Sequence, residues 1–465
     1  LAVVVPFSAF RSIAAEQEDN TYDLLSITTL TARRLVTGKL LSSATQMLVF
    51  ASAVSPCIAF TFLLRGVDAL TVGLILAMAV LGGLGLAMLG LLAGTVITRA
   101  KYAQIVIAVA LVLGLFGAFI LSIVSAYGLI EDGYMMYRSS EFWWVVAGGL
   151  VAYLTTFGML HSAAAAQIAF TSENRSTPLR RWMMAQQGCF IGWLIAFAYA
   201  EAPDRSIVWG MFGVSALVGA GYWYAMGTML TSEWPHLSRR VQRSLPQSTL
   251  GRAFLTWMNP GPGAGFMFVV ANLSALSILG VAAIGLIPNL APNLGFDRIG
   301  YGIGLAWGYV VAYLGFGRLL INLTRRFAYV PMSGGFLIHV ILVCAGVGVP
   351  MVLQMLTNQF RVAAGYSLIH FTNPFWTLFE LFDRGPLSVE AGILILVLPA
   401  IGVAALLLNM RSVAAEVCRQ RLALPSRVAE EEELLHPAPA PEPANPWEAE
   451  AAERQQRDAV VDPQD

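Results

Sequence analysis

Residues 69–97, ALTVGLILAMAVLGGLGLAMLGLLAGTVI, hold no charged side chain between Asp68 and Arg99. At about 1.5 Å of rise per residue, a helix needs about 20 apolar residues to cross about 30 Å of hydrocarbon, and this run is longer. It reads as a membrane span. The same pattern recurs near 42–64, 102–130, 142–170, 183–200, 206–230, 266–288, 299–321, 333–357 and 388–410, the stretch at 183–200 being the weakest. The whole chain agrees, since 57% of its 465 residues are apolar and 12% are charged, against about 25% charged in soluble domains. The expected fold is an all-α, polytopic membrane protein with about ten transmembrane helices.

Residues 1–10, LAVVVPFSAF, read as the end of a further apolar helix begun upstream, with no basic stretch or Met before them. Charge orients the spans. If the opening segment lies in the cytoplasm and each span changes sides, twenty Lys and Arg fall inside, in 11–41, 99–101, 175–181, 239–252, 318–326 and 411–427. Six fall outside: Arg65, Arg138, Arg205, Arg298, Arg361 and Arg384. The positive-inside rule expects such a split, and one miscounted span would destroy it.

The organisation that follows is the end of a truncated transmembrane helix at 1–10, a cytoplasmic elbow at 11–41 and a first membrane bundle over 42–230. A basic cytoplasmic loop at 231–265, a second bundle over 266–410 and a cytoplasmic tail over 411–465 complete it. From about 425 the tail is rich in Pro, Ala and Glu, cannot build a core and is expected to be disordered. Cys57, Cys189, Cys344 and Cys418 lie in apolar runs or at the inner face without metal-ligand spacing, and read as packing residues.

Before the first complete span stands EQEDNTYDLLSITTLTARRLVTGKLL, residues 16–41. Its Thr37-Gly38-Lys39 invites comparison with a phosphate-binding loop. That loop needs a glycine five residues before the Gly-Lys pair and Ser or Thr after it, so that backbone N–H groups turn in on the phosphates. Arg33 and Leu40 stand at those places. The segment is better described as a helical elbow at the membrane surface. Asn20 or Thr21 can cap a short helix, Leu24, Leu25 and Thr28 share a face, and Thr31 can cap a second helix leading into the first span. Acidic residues at its start (Glu16, Glu18, Asp19, Asp23) and basic ones at its exit (Arg33, Arg34, Lys39) suit both helix dipoles and anionic headgroups. A plain surface anchor is the alternative on these features alone.

In the order of its residues the segment resembles the cytoplasmic elbow of type-2 ATP-binding-cassette (ABC-2) permeases. That elbow reads approximately E-x-E-x-G-T-L-E-L-L-L-T-T-P-L-S-R-R-E-I-V-L-G-K, and the present sequence aligns with it without a gap. Glu16, Glu18, Thr21, Asp23, Leu24, Leu25, Thr28, Leu30, Thr31, Arg33, Val36, Gly38 and Lys39 match or conservatively replace the pattern, while Asn20, Thr29 and Arg34 depart from it. The resemblance covers residues 1 to about 170. It implies the permease subunit of an ATP-driven exporter, coupled to a separate ABC ATPase subunit through Glu16, Glu18, Thr21, Asp23, Leu24, Leu25, Arg33, Gly38 and Lys39. It further implies a homo- or heterodimer of permease units in the plasma or inner membrane. This chain would bind no cofactor, leave ATP to its partner, and have neither catalytic residues nor a nucleic-acid partner. A secondary carrier with an uncharged midplane site and a non-transporting membrane scaffold are the rival readings.

Other features are weaker. His161 and His339 are the clear ionisable groups in mid-span, and a lone His among small residues is more often a hydrogen-bonded packing residue than a relay. The loops 171–182 and 231–265 read first as solvated segments neutralised by lipid phosphates, and 231–265 also as a second contact with a cytoplasmic partner. On the outer side Asn373 can cap a helix begun by Pro374, with Phe375, Trp376, Phe379 and Phe382 on one apolar face, which reads as an interfacial anchor. Gly90-x-x-x-Gly94 and Gly304-x-x-x-Gly308 permit close helix approach.

Overall fold

The computed structural model describes residues 3–18, 31–64, 66–96, 101–170, 173–200, 205–233, 237–243, 256–286, 296–357, 366–384, 389–417 and isolated positions in 245–251 and 425–455. Its described elements are all helical. In chain order they are α1 (Val4–Glu18), α2 (Ala32–Leu64), α3 (Ala69–Val96), α4 (Lys101–Met136), α5 (Ser140–Ile168), α6 (Thr177–Ala200) and α7 (Arg205–Thr231). They continue with the short α8 (Arg239–Arg243), then α9 (Pro262–Leu286), α10 (Phe296–Thr324), α11 (Met332–Thr357), α12 (Pro374–Arg384) and α13 (Val389–Val417). Hydrocarbon offers no hydrogen bonds, so an apolar chain of this kind satisfies its backbone within each helix.

Eight helices, α2 to α5, α9 to α11 and α13, are long and apolar enough to cross a membrane. Two further spans expected at 183–200 and 206–230 fall within α6 and α7, which are not among the eight. The first of these carries Arg180, Arg181, Gln186 and Gln187. Two boundaries also differ from expectation: α1 runs on to Glu18 rather than ending near 10, and α13 continues to Val417, past 410. Chain contacts separate Arg421–Asp465 from the rest, and the disorder expected there concerns residues mostly outside those described.

Two buried cores organise residues 1–420. The first joins Val5 and Ile13 of α1, Met47 of α2, Met88 and Leu91 of α3 and Ala165 of α5. The second joins Met183 of α6, Trp223 of α7, Phe266 and Val269 of α9, Leu305 of α10, Leu381 of α12 and Leu398 of α13. Met183 of α6 and Trp223 of α7 belong to the second core, while α6 also packs along α5, so the two cores adjoin within residues 1–420. Cys57, Cys189 and Cys344 are exposed and form no disulfide among the described residues.

Association between apolar helices in lipid relies on close packing, which small residues permit. A Cβ on Gly90 would lie 2.4 Å from the Pro6 carbonyl oxygen, and one on Gly94 2.8 Å from that of Phe10. The α1/α3 crossing thus needs both glycines. Gly304 has open space around it, whereas Gly308 packs against Pro399, whose ring nitrogen would stand 2.8 Å from an added Cβ. Gly90→Leu is expected to push α1 off α3 at a cost of about 1–3 kcal/mol, the range for overpacking. A lowered thermal unfolding midpoint in detergent would register it, and an unchanged midpoint would contradict the crossing.

Candidate functional site

The most concentrated chemistry among the described residues lies where the NPGPGAG stretch (259–265) opens α9. Gly261 has φ 146°, a left-handed value that side chains avoid, and it turns the chain into the helix. The first N–H groups of a helix lack intrahelical partners and carry positive partial charge, so they call for anions. Two carboxylates meet them. Glu233 Oε2 accepts from Gly261 N–H at 2.7 Å, and Glu416 Oε2 accepts from Gly263 and Ala264 N–H at 2.7 and 3.2 Å. A Cβ on Gly263 would stand 2.7 Å from the Glu416 carboxyl carbon, so the bare glycine is what admits that carboxylate.

Each carboxylate is balanced by a buried arginine. Arg180 Nη2 donates to Glu233 Oε2 at 2.8 Å, its Nη1 donates to the Trp257 carbonyl, and its guanidinium lies 5.6 Å from the Phe268 ring centre. Arg318 donates to Glu416 Oε1 at 3.2 Å and to Asn409 Oδ1 at 3.1 Å, beside Phe266. Arg325 adds a clamp, donating to the carbonyls of Ser232 and Glu233 at 2.7 and 2.9 Å. Residues from 175–181, 231–265, 318–326 and 411–427 therefore meet at one end of the bundle. Sequence reasoning took 171–182 and 231–265 first as solvated loops, but Arg180 is fully buried. The available signal was the glycine-rich start of an apolar run together with Glu and Arg at the ends of neighbouring runs.

The elbow residues divide between described and undescribed positions. Thr21, Asp23, Leu24 and Leu25 lie outside the described residues, and Glu16 and Glu18 close the backbone of α1. Arg33, Gly38 and Lys39 lie in the first turns of α2, within continuous helix. Thr31 stands at its N-cap, where its Oγ1 accepts from Arg34 N–H at 3.4 Å. Lys39 Nζ donates to the Ser12 carbonyl at 3.2 Å and so ties α2 to α1. His161 bonds Thr37 at 3.0 Å, and His339, fully buried, bonds Thr231 at 3.0 Å with its ring against Gly317. Each histidine is thus hydrogen-bonded to a threonine of a neighbouring helix.

The segment expected as an interfacial anchor is also bonded to neighbouring helices. Asn373 caps α12, its Oδ1 accepting from Trp376 N–H at 3.2 Å, and Pro374 opens the helix. Upstream, the Phe371 and Thr372 carbonyls accept from the Tyr309 and Tyr313 hydroxyls, and Thr372 Oγ1 donates to the Gly346 carbonyl at 2.8 Å. At about 1.5 Å per residue, Tyr313 stands about 25 Å from the Phe296 end of α10 and Gly346 about 16 Å from the Thr357 end of α11. The far end of α12 returns to Arg298, whose Nη1 donates to the Phe382 carbonyl at 3.1 Å. The segment thus runs along α10, from Tyr309 and Tyr313 back towards Arg298. Phe375 and Phe379 remain exposed, while Trp376 packs on His370 with ring centres 4.3 Å apart. The Tyr309 and Tyr313 hydroxyls satisfy part of the irregular backbone that precedes α12.

Comparison of the chain with protein families, with characterised proteins and with solved structures finds no match.

Proposed function

We propose that the chain is the membrane-spanning subunit of an ATP-driven ABC-2-type exporter. It has about ten spans in a plasma or inner membrane, works as a dimer of permease units and is driven by a separate ATPase subunit. One observation carries this reading: the elbow-like sequence of 16–39 joins two helices, α1 and α2, that are packed together and tied by the Lys39–Ser12 bond. A force applied to the elbow is passed directly to α1 and α2, and through Gly90 and Gly94 to α3. The charge-based orientation would put the elbow in the cytoplasm, on the same side as the Arg180–Glu233 and Arg318–Glu416 pairs. Uncharged polar groups between α5, α6 and α7 also suit the secondary carrier, so the elbow rather than the bundle interior separates the two readings.

Orientation is the first test. With Cys57, Cys189, Cys344 and Cys418 replaced, a cysteine at the exposed position Ser140 is expected to react with a membrane-impermeant maleimide in intact cells, and one at exposed Arg240 only after lysis. Labelling of the Arg240 position from outside would place the elbow on the wrong side for an ATPase.

A further inference from the structure

We infer that the second bundle holds a lateral binding site for an uncharged amphipathic molecule drawn from the bilayer, its hydrocarbon chain in an apolar cleft and its hydroxyl or amide group at Gln187. Two adjoining cavities carry the inference. The larger, about 630 Å³, lies between α6, α7, α9 and α10, with Phe190, Leu194, Phe212, Leu276, Ile303 and Trp307 among its walls. That volume falls within the roughly 300–1,000 Å³ of small-molecule sites. No charged residue lines it. Two of its polar groups are engaged elsewhere: Ser215 Oγ donates to the Met211 carbonyl at 2.6 Å, and Trp307 Nε1 to Ser274 Oγ at 2.9 Å. The cleft is continuous with the outward-facing apolar surface of the helices, since Ile195 and Tyr199 on its rim are 65% and 87% exposed. A lipid chain can enter it sideways without crossing water.

The second cavity, about 230 Å³, shares Phe190 and Leu276 with the first and adds Thr155, Thr156, Gln186, Gln187 and Tyr222. Three of its polar groups are linked in a chain and Gln187 bonds separately. Tyr222 donates to Gln186 Oε1 at 2.7 Å, Gln186 Nε2 to Thr156 Oγ1 at 3.0 Å, and Gln187 Nε2 to the Asn272 carbonyl at 3.2 Å. A carbonyl can only accept, so the Asn272 bond fixes the Gln187 amide with its oxygen turned the other way. Gln187 Oε1 is buried without a hydrogen-bond partner. An acceptor in that state favours a ligand that brings a donor. An anion would find no Lys or Arg on either wall and would lose its hydration uncompensated. Along α6, Gln187 stands about 18 Å from Tyr199, so the polar group would sit well below the exposed rim.

Treating this molecule as cargo rests on the permease reading, whereas its binding does not, and binding alone is measured here. The full chain in lipid nanodiscs would be photolabelled with diazirine-bearing hexadecanol, with the matching palmitate at pH 8 and hexadecane as comparisons. Hexadecanol is expected to label saturably, mainly in 190–199 and 273–283. Gln187→Leu should weaken it about tenfold, to the level of the alkane, the size of one lost buried hydrogen bond. Leu276→Trp, which fills the shared wall, should abolish saturable labelling, and Ala216→Phe serves the same purpose if that variant is poorly folded. Labelling spread evenly around the lipid-facing helices and indifferent to the filling variants would mean ordinary bilayer contact and overturn the site. Unchanged hexadecanol affinity in Gln187→Leu, or a preference for palmitate, would overturn the ligand class.

Discussion

Glu233→Ala is expected to destabilise the chain by about 3–5 kcal/mol, the range for removing one partner of a buried ion pair. Arg180 is fully buried and Glu233 is 15% exposed, so neither finds enough water to replace the other. The loss extends beyond the pair. Ser176 and the Gly261 N–H both donate to the same carboxylate, and the turn into α9 would lose its anion. Thermal or denaturant unfolding in detergent, followed by tryptophan fluorescence, would measure the change. The double variant Arg180→Met/Glu233→Leu should recover much of it, because an apolar pair of similar volume is often as stable as a buried ion pair. Glu450→Ala should change nothing measurable, since its partner Arg454 is 79% exposed. Equal stability of Glu233→Ala and the unaltered chain would contradict the described cluster.

The contrast shows where the sequence was legible. Uninterrupted apolar runs marked the helices because lipid leaves a long apolar segment few other states, and the Gly90/Gly94 spacing marked a close crossing. Gly304 illustrates the limit of the same pattern, since small-residue spacing permits contact without requiring it. The ion pairs were hidden because Arg180, Arg318 and Glu416 sit within a few residues of helix ends, where a solvated charge leaves the same trace. The packing of α12 along α10 was hidden for a related reason. An amphipathic face of Phe, Trp and Leu serves a flat interfacial helix and a helix packed along another equally well. The distinguishing residues were on another helix: Tyr309 and Tyr313, one turn apart on α10, whose hydroxyls bond the Phe371 and Thr372 carbonyls.

On the proposed reading, reversing charge at the elbow, with Glu16→Lys and Glu18→Lys together, uncouples transport while leaving insertion and abundance unchanged. Both positions close α1, at the end where Lys39 holds α2 to Ser12, so any force delivered there reaches two helices at once. Truncating one partner of a buried, charge-assisted contact at an interface costs about 2–5 kcal/mol, or roughly 30- to several-thousand-fold in docking affinity. A lipid anchor makes the opposite forecast. Added positive charge beside anionic headgroups is then harmless or slightly favourable. Intermediate behaviour in the single variants, with the double variant worst, would fit a docking surface on which both carboxylates have partners.

The direct test of the ATP-driven permease is affinity capture of the full chain from its native membranes in a mild detergent. Mass spectrometry of the bound proteins would be combined with an ATP-hydrolysis assay, for the unaltered chain and the Glu16→Lys/Glu18→Lys variant in parallel. The account predicts a separate ABC-type ATPase captured in stoichiometric amount with hydrolysis in the eluate, both lost in the double variant, and no nucleotide binding by the chain alone. Full transport in the double variant, or an active unaltered chain that brings down no ATPase, would contradict it.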